Sequence, residues 1–382
     1  MSARRRVVLA AGGTGGHMFP AEALAGELIA RGCRVALVTD RRGRGFADRL
    51  PAVETHRISA GGLAGGGLLR RARSALELAV GLFQARGLIH RLAPQVAIGF
   101  GGYASVPTML AAHRAGLPTI LHEQNAVLGR ANRLLAGRAT RIATSFAAMP
   151  GATLDPGKVV VTGNPVRAAV AAVGDLPYAT LDPGAPVRLL VLGGSQGARV
   201  FSRVVPAAVA LLPQGLRARL RLAQQCRPED LEAVRAAYER LGVPAELATF
   251  FDDMPRHLAA AHLAIARAGA STVAELAAAG RPAILVPFPF AADDHQAANA
   301  RCAGETGGAW PMPEPTFTAE ALAVRLQSLI AEPDALIRAA AAARAAGRRD
   351  AATRLADLVG ALAPCDSATV GCAAADRREA AA

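Results

Sequence analysis

A plan that occurs twice sets the first limit on what this chain can fold into. Residues 6–17 read Arg-Val-Val-Leu-Ala-Ala-Gly-Gly-Thr-Gly-Gly-His, a short apolar run ending in glycines, with helix-like sequence behind it from Pro20 to Arg31. Residues 188–199 repeat it as Arg-Leu-Leu-Val-Leu-Gly-Gly-Ser-Gln-Gly-Ala-Arg, again followed by a helix-like segment. Two strand–glycine loop–helix openings, 181 residues apart, predict two doubly wound parallel-sheet α/β domains. The length of 382 residues suits two domains, and a hydrophobic content of 52% supplies their cores.

Short apolar runs at Arg34–Thr39, Val96–Phe100, Thr119–His122, Arg141–Thr144 and Val159–Thr162 read as further strands. Leu220–Ala223, Ala264–Ala266 and Ala283–Val286 do the same in the second half. Ala-rich helical stretches separate them, as βα alternation requires. Gly174, Pro177, Pro183, Gly184 and Pro186 mark 171–186 as loop near a domain junction. The polar, Ala-rich tail 364–382 reads as disordered. Five cysteines without C-x-x-C or Cys/His spacing argue for a reducing compartment and against a zinc site. The longest uncharged span, 92–113, is broken by prolines and glycines and does not read as a membrane span.

Several strand ends carry polar or glycine-rich loops. Backbone N–H groups in Gly12–Gly16, at the start of a helix, favour an anion such as phosphate. The loop lacks a P-loop lysine, and Met18 stands where G-x-G-x-x-G needs its third glycine. Asp40 ends the second strand, where a dinucleotide site keeps a ribose carboxylate. Ser195, in the second glycine loop, adds a hydroxyl where a phosphate oxygen would sit. His122-Glu-Gln-Asn125 and Gly101-Gly-Tyr-Ala-Ser105 follow strands too. In Arg267-Ala-Gly-Ala-Ser-Thr-Val-Ala-Glu275, one reading makes Ser271 or Thr272 a helix N-cap with Glu275 its capping-box partner. The other gives Glu275 to a ribose diol. Asp293, Asp294, His295, Gln296 and Asn299 crowd another helix start and suit sugar hydroxyls; no third acidic ligand suggests a metal.

Taken together, GGTGGH (12–17), GGYAS (101–105), HEQN (122–125), TGNPVR (162–167), GGSQGAR (193–199), RAGASTVAEL (267–276) and ADDHQAANA (292–300) resemble the MurG family. Its members are bacterial UDP-N-acetylglucosamine transferases acting on undecaprenyl-pyrophosphoryl-MurNAc-pentapeptide (lipid I), and the motif order agrees over roughly residues 5–360. The resemblance implies the GT-B fold: an acceptor domain at 1–163, a UDP-GlcNAc domain at 164–349, and a helix near 350–363 packing back on the first. It implies transfer of GlcNAc to the MurNAc 4-hydroxyl with inversion, forming lipid II in peptidoglycan synthesis without a metal or other cofactor. Carried over by motif, Ser195 would hold the diphosphate, Glu275 the ribose, and Arg167 the donor side. The Phe251 backbone would face uracil. Asn125 and Gln296 would bind GlcNAc, and Thr14, Gly15 and Gly16 would line the cleft beside Ala270, Ser271 and Thr272. His17, with an ordinary pKa of about 6.5, is the candidate base, and Glu123 the alternative. Phe290 stands where relatives commonly carry histidine, and Phe251 replaces a usual aliphatic.

The formal charge of +13 calls for an anionic partner. Residues 1–163 hold 21 Lys+Arg and 8 Asp+Glu, so the whole excess lies in the half assigned to the acceptor. Within it, Leu68, Leu69, Leu82 and Phe83 alternate with Arg70, Arg71 and Arg73. That segment reads either as a core helix with a solvated arginine face or as a surface for anionic lipid. The lipid-linked acceptor favours the second, at the cytoplasmic face of the bacterial plasma membrane, with cell-wall synthesis proteins as further partners. A nicotinamide oxidoreductase explains Asp40 but not the missing glycine. A glycosyltransferase acting on another lipid lacks the full motif set. A nucleic-acid-binding module explains the charge, but 4% aromatic residues leave few stacking platforms.

Overall fold

The computed structural model describes residues 5–13, 15–41, 52–61, 68–147, 149, 151–179, 181–182, 184–194 and 197–363, and only the backbone of 68–72. It contains two parallel sheets. The first has seven strands in the order β3-β2-β1-β4-β5-β6-β7. These are β1 (Arg6–Ala10), β2 (Arg34–Thr39), β3 (Glu54–Arg57), β4 (Val96–Gly99), β5 (Thr119–Glu123), β6 (Arg141–Thr144) and β7 (Val159–Val161). The second has six, in the order β10-β9-β8-β11-β12-β13. They are β8 (Val187–Leu192), β9 (Leu220–Gln225), β10 (Ala245–Ala248), β11 (Leu263–Ala266), β12 (Ala283–Leu285) and β13 (Ala309–Pro311).

Each sheet is covered by helices on both faces, which is why its central strands read as unbroken apolar runs. Successive side chains point to opposite faces. Val7 and Leu9 of β1 therefore pack with Met18, Leu24 and Leu28 of the helix Gly15–Ala30. Val8 and Ala10 pack on the other side with Leu88 and Ile89 of the helix Leu68–Leu92 and Met109 of Ser105–Arg114. In the second sheet Leu189 and Val191 face Phe201 and Val205, while Leu190 and Leu192 face Val273 and Leu276.

Three edge strands differ from the expectation: β3, β10 and β13 do not stand out as apolar runs. Glu54-Thr-His-Arg57 has no buried residue and Ala245-Glu-Leu-Ala248 none either, so neither carries an apolar signature. Their hydrogen-bond partners come from β2 and β9. The stretch read as loop at 171–186 begins inside a helix, Ala168–Val173, whose Val170 and Val173 are buried. Crossing from one sheet to the other runs through Thr162–Asn164, after β7. The helix Ala351–Leu362 returns to the first sheet: Leu355, Ala356 and Val359 join the core of Val7 and Leu24, and Arg31 pairs with Asp357 at 2.6 Å. Residues 364–382 lie outside the described residues.

Candidate active site

Strand order reverses direction between β1 and β4 in the first sheet, and between β8 and β11 in the second. In open parallel sheets a ligand crevice forms at the carboxyl ends of such neighbouring strands. Both glycine loops lie there. Gly12 N–H donates to the Gly101 carbonyl at 3.2 Å, so the loops after β1 and β4 pack face to face. A Cβ on Gly102 (φ +73°) would lie 3.1 Å from the Gly12 Cα, and one on Gly101 3.3 Å from His17 Cε1. The glycines thus clear the space that the His17 ring occupies.

His17 sits in the first turn of Gly15–Ala30, half-buried, with Gly15 buried and Gly16 exposed to the cleft. Its Nδ1 lies 3.1 Å from Gln124 Oε1. Desolvation lowers its pKa below the ordinary 6.5, against the Gln124 hydrogen bond and the Glu123 charge, which raise it. Across the cleft the Ser271 hydroxyl donates to the Gly16 carbonyl at 3.4 Å. This corrects the capping reading. Gly269 is the N-cap of Ala270–Ala278 and no side chain caps it, so Ser271 reaches across the cleft and Glu275 is not a capping-box partner.

Glu275 instead pairs with Arg167, Nη2 to Oε1, at 3.0 Å. Burial raises its carboxyl above the usual range, opposed by Arg167. The Arg167 guanidinium also lies 5.1 Å from the centre of the Phe19 ring, tying the second domain to the first. Phe251 turns its ring inward, 5% exposed, against His257 at 4.2 Å. Gln296 Oε1 accepts from the Phe288 N–H at 3.0 Å and so holds the loop after β12. Thr14 and Ser195 lie outside the described residues.

The HEQN segment divides its polar groups between faces. Glu123 is 2% exposed. Its Oε1 accepts from the backbone and side-chain N–H groups of Asn125, at 3.0 and 3.2 Å. Its Oε2 accepts from the Gly129 N–H at 2.9 Å and Asn132 Nδ2 at 2.8 Å. Four donors saturate that carboxylate. Asn125 in turn accepts from Asn299 Nδ2 at 3.1 Å, and Asn299 Oδ1 accepts from the Ala126 N–H at 2.8 Å. Another cross-domain contact is the Arg130–Asp293 ion pair at 2.8 Å, which lowers the Asp293 pKa. Asp293 is therefore committed to Arg130.

Asn132, Gln124, His122 and Arg267 have functional contacts that no local motif marks individually. Arg267, 9% exposed, donates to the Val286 and Pro287 carbonyls at 3.2 and 3.1 Å and pairs with Glu314 at 2.6 Å. Its presence at the end of a buried strand, before a glycine, was the available signal. Asp40 is 6% exposed, at the buried end of β2.

Two Rossmann-type sheets with open helix starts facing one cleft define a protein of the GT-B fold class. Residues 7–144 match the glycosyltransferase family 28 N-terminal domain and residues 188–355 its C-terminal domain. A protein of Paramagnetospirillum magneticum is 61% identical over 94% of this chain and 98% of its own length. It is named a UDP-N-acetylglucosamine--N-acetylmuramyl-(pentapeptide) pyrophosphoryl-undecaprenol N-acetylglucosamine transferase. A protein of Rhodospirillum rubrum with the same name is 59% identical over 95% of this chain and 93% of its own. The crystal structure of MurG from Acinetobacter baumannii superposes with a TM-score of 0.75 at 30% identity, covering 94% of this chain and 99% of that one. The chain belongs to glycosyltransferase family 28, within its MurG members. The oxidoreductase alternative falls with that result.

Proposed function

We propose that this enzyme transfers N-acetylglucosamine from UDP-GlcNAc to the MurNAc 4-hydroxyl of undecaprenyl-pyrophosphoryl-MurNAc-pentapeptide, forming lipid II, and that it does so with inversion and without a metal. The observation that carries the reading is the cleft itself. His17 stands on the first domain, Arg167 and Glu275 on the second, and the two sides approach to 3.4 Å at Gly16 and Ser271. The acceptor oxygen attacks the anomeric carbon from the face opposite UDP; the bond from that carbon to the diphosphate oxygen breaks as the new glycosidic bond forms. His17 takes the hydroxyl proton and later releases it to solvent. UDP departs with added negative charge, which the helix start at Ala270 and the Arg167 guanidinium favour. Glu275 holds the ribose diol, Asn125 and Gln296 the sugar hydroxyls, and Ser195 the diphosphate. His17 is preferred to Glu123 because every lone pair of that carboxylate already accepts a hydrogen bond.

Transfer of radiolabelled GlcNAc from UDP-GlcNAc to a lipid I analogue, with and without EDTA, tests the reading. Equal turnover in both supports it, and turnover abolished by EDTA sinks the metal-free mechanism. A His17→Ala enzyme with near-normal kcat would remove His17 as base.

The same proposal places the first domain on the cytoplasmic membrane face. Phe83 (81% exposed), Leu76 (66%) and Val80 (41%) of Leu68–Leu92 face outward, beside the exposed Arg73 and Arg86. A groove of about 930 Å³ lined by Leu82, Phe83, Arg86, Ile89 and Leu117 opens there. Leu68, Leu69, Arg70 and Arg71 have no described side chains. Among the described residues no helix is long and apolar enough to cross a membrane. An Arg70/Arg71/Arg73→Glu variant is expected to lose sedimentation with anionic liposomes; unchanged binding would count against the surface.

A further inference from the structure

We propose that His122 and Gln124 are positioning residues that set the tautomer of His17, through a hydrogen-bond relay ending on the hinge backbone at Gly163. The proposal rests on the reading of His17 as the base. The amide of Gln124 is oriented by its partners. Nε2 lies 2.9 Å from the Phe100 carbonyl and 3.0 Å from the His122 carbonyl. Carbonyl oxygens only accept, so this end of the amide is its NH2 group. The atom 3.1 Å from His17 Nδ1 is then Oε1, which also only accepts. His17 Nδ1 must therefore carry the ring proton, and Nε2 keeps the lone pair that a base needs.

The other arm is equally determined. His122 Nε2 lies 3.0 Å from the Gly163 carbonyl and so donates to it. Its Nδ1, 2.9 Å from Gln124 Nε2, accepts from the same NH2 group. The Thr162 hydroxyl donates to that Gly163 carbonyl at 3.0 Å, which fixes it as an acceptor at both lone pairs. The two Gln124 N–H groups serve three acceptors, the Phe100 and His122 carbonyls and His122 Nδ1, so one hydrogen is shared, and both rings are neutral. A proton added at His122 Nδ1 would confront the amide NH2, which the Phe100 and His122 carbonyls hold in place, so the arrangement opposes protonation of that ring.

Burial holds the His122 imidazole at about 4, so the relay keeps this arrangement at neutral pH. His17 is faced by Gln124, by the Glu123 charge and the Phe100 carbonyl, which favour its protonation, and by His295, which opposes it; a charge on His17 in turn disfavours one on His122. Gly163 has φ +84° and is followed by the segment that enters the second domain. The relay thus begins at the base and ends on the backbone that joins the domains.

The test uses the full chain with ¹⁵N-labelled histidine, UDP-GlcNAc and a lipid I analogue. Comparison with the His17→Ala spectrum identifies the His17 signals, which are expected to report a proton on Nδ1. Gln124→Glu places a carboxylate beside that proton and favours the imidazolium. The acid limb of the kcat profile is expected to rise by about one pH unit or more. Gln124→Leu is expected to lower kcat about 100-fold or more, with KM for UDP-GlcNAc within about twofold of the parent. A proton on Nε2 in the parent enzyme, or an acid limb unmoved by Gln124→Glu, would overturn the relay. If Gln124→Leu does not fold, the parent spectrum and the Gln124→Glu profile decide. Near-normal kcat in His17→Ala defeats the base reading itself. An inactive His17→Ala together with a proton on Nε2 in the parent defeats the relay alone.

Discussion

Asn299 is fully buried and joins the two domains through one side chain. Its Oδ1 accepts from the Ala126 N–H at 2.8 Å. Its Nδ2 donates to the Ala268 carbonyl at 3.0 Å and to Asn125 Oδ1 at 3.1 Å. Asn299→Ala removes all three bonds and leaves two backbone groups, Ala126 N–H and Ala268 C=O, without this partner. An orphaned buried group costs about 1–3 kcal/mol, so the pair costs about 2–6 kcal/mol. At about 2–4 °C per kcal/mol for a domain of this size, the unfolding midpoint should drop by ~4 °C or more in calorimetry. Asn125, assigned to the donor sugar, loses one of its two side-chain partners as well and keeps only Glu123. KM for UDP-GlcNAc should rise about tenfold, the equivalent of one hydrogen bond at ~1.4 kcal/mol. Asn299→Asp keeps the shape but sets a carboxylate oxygen against the Ala268 carbonyl, and should destabilise at least as much. A midpoint within about 1 °C of the parent for both variants, with KM unchanged, would refute the reasoning.

Acid lability should also follow from His122. Its folded pKa of about 4 lies below the ordinary 6.5, so the unfolded chain binds more protons between those values. Stability is then complete above pH 6.5 and declines as pH falls toward 4, by about 3 kcal/mol from this group. Denaturant titrations of His122→Phe should show a flatter dependence across that window. Removing Arg167 leaves the buried Glu275 carboxyl with less to oppose its upward shift, so Arg167→Ala should make KM for UDP-GlcNAc climb more steeply on acidification than in the parent. Gly163→Ala would place a Cβ 2.5 Å from Arg348 Cβ at a φ of +84°. Calorimetry should register a loss of about 1–3 kcal/mol there.

Much of the site was legible because its chemistry is written in contiguous motifs. A strand, a glycine loop and a helix follow one another in residues 6–31 and again from 188, and the sheet's switch point lies where such loops belong. The start of Ala270–Ala278 was less legible: its N-cap is Gly269, two or three residues before the Ser271 or Thr272 that the run suggests. Harder to read were residues whose partners are distant. Four polar residues in a row at 122–125 carry no label for which way each points. A strand's period of two sends His122 and Gln124 to one side, toward His17 and the hinge, and Glu123 to the other, into its own loop.

By itself, then, the order of residues determined the two-domain architecture, the family and the set of polar groups around the cleft, since each depends on local runs and short spacings. Only the tertiary structure decided what those groups do to one another. Glu123 became a saturated acceptor, Ser271 a cross-cleft contact, Asn299 a bridge and Gln124 an oriented amide. Those roles depend on donors and acceptors brought together across as many as 255 residues of chain. A hydrogen bond is set by distance and direction in space, and sequence spacing specifies neither beyond a single turn of helix or step of strand.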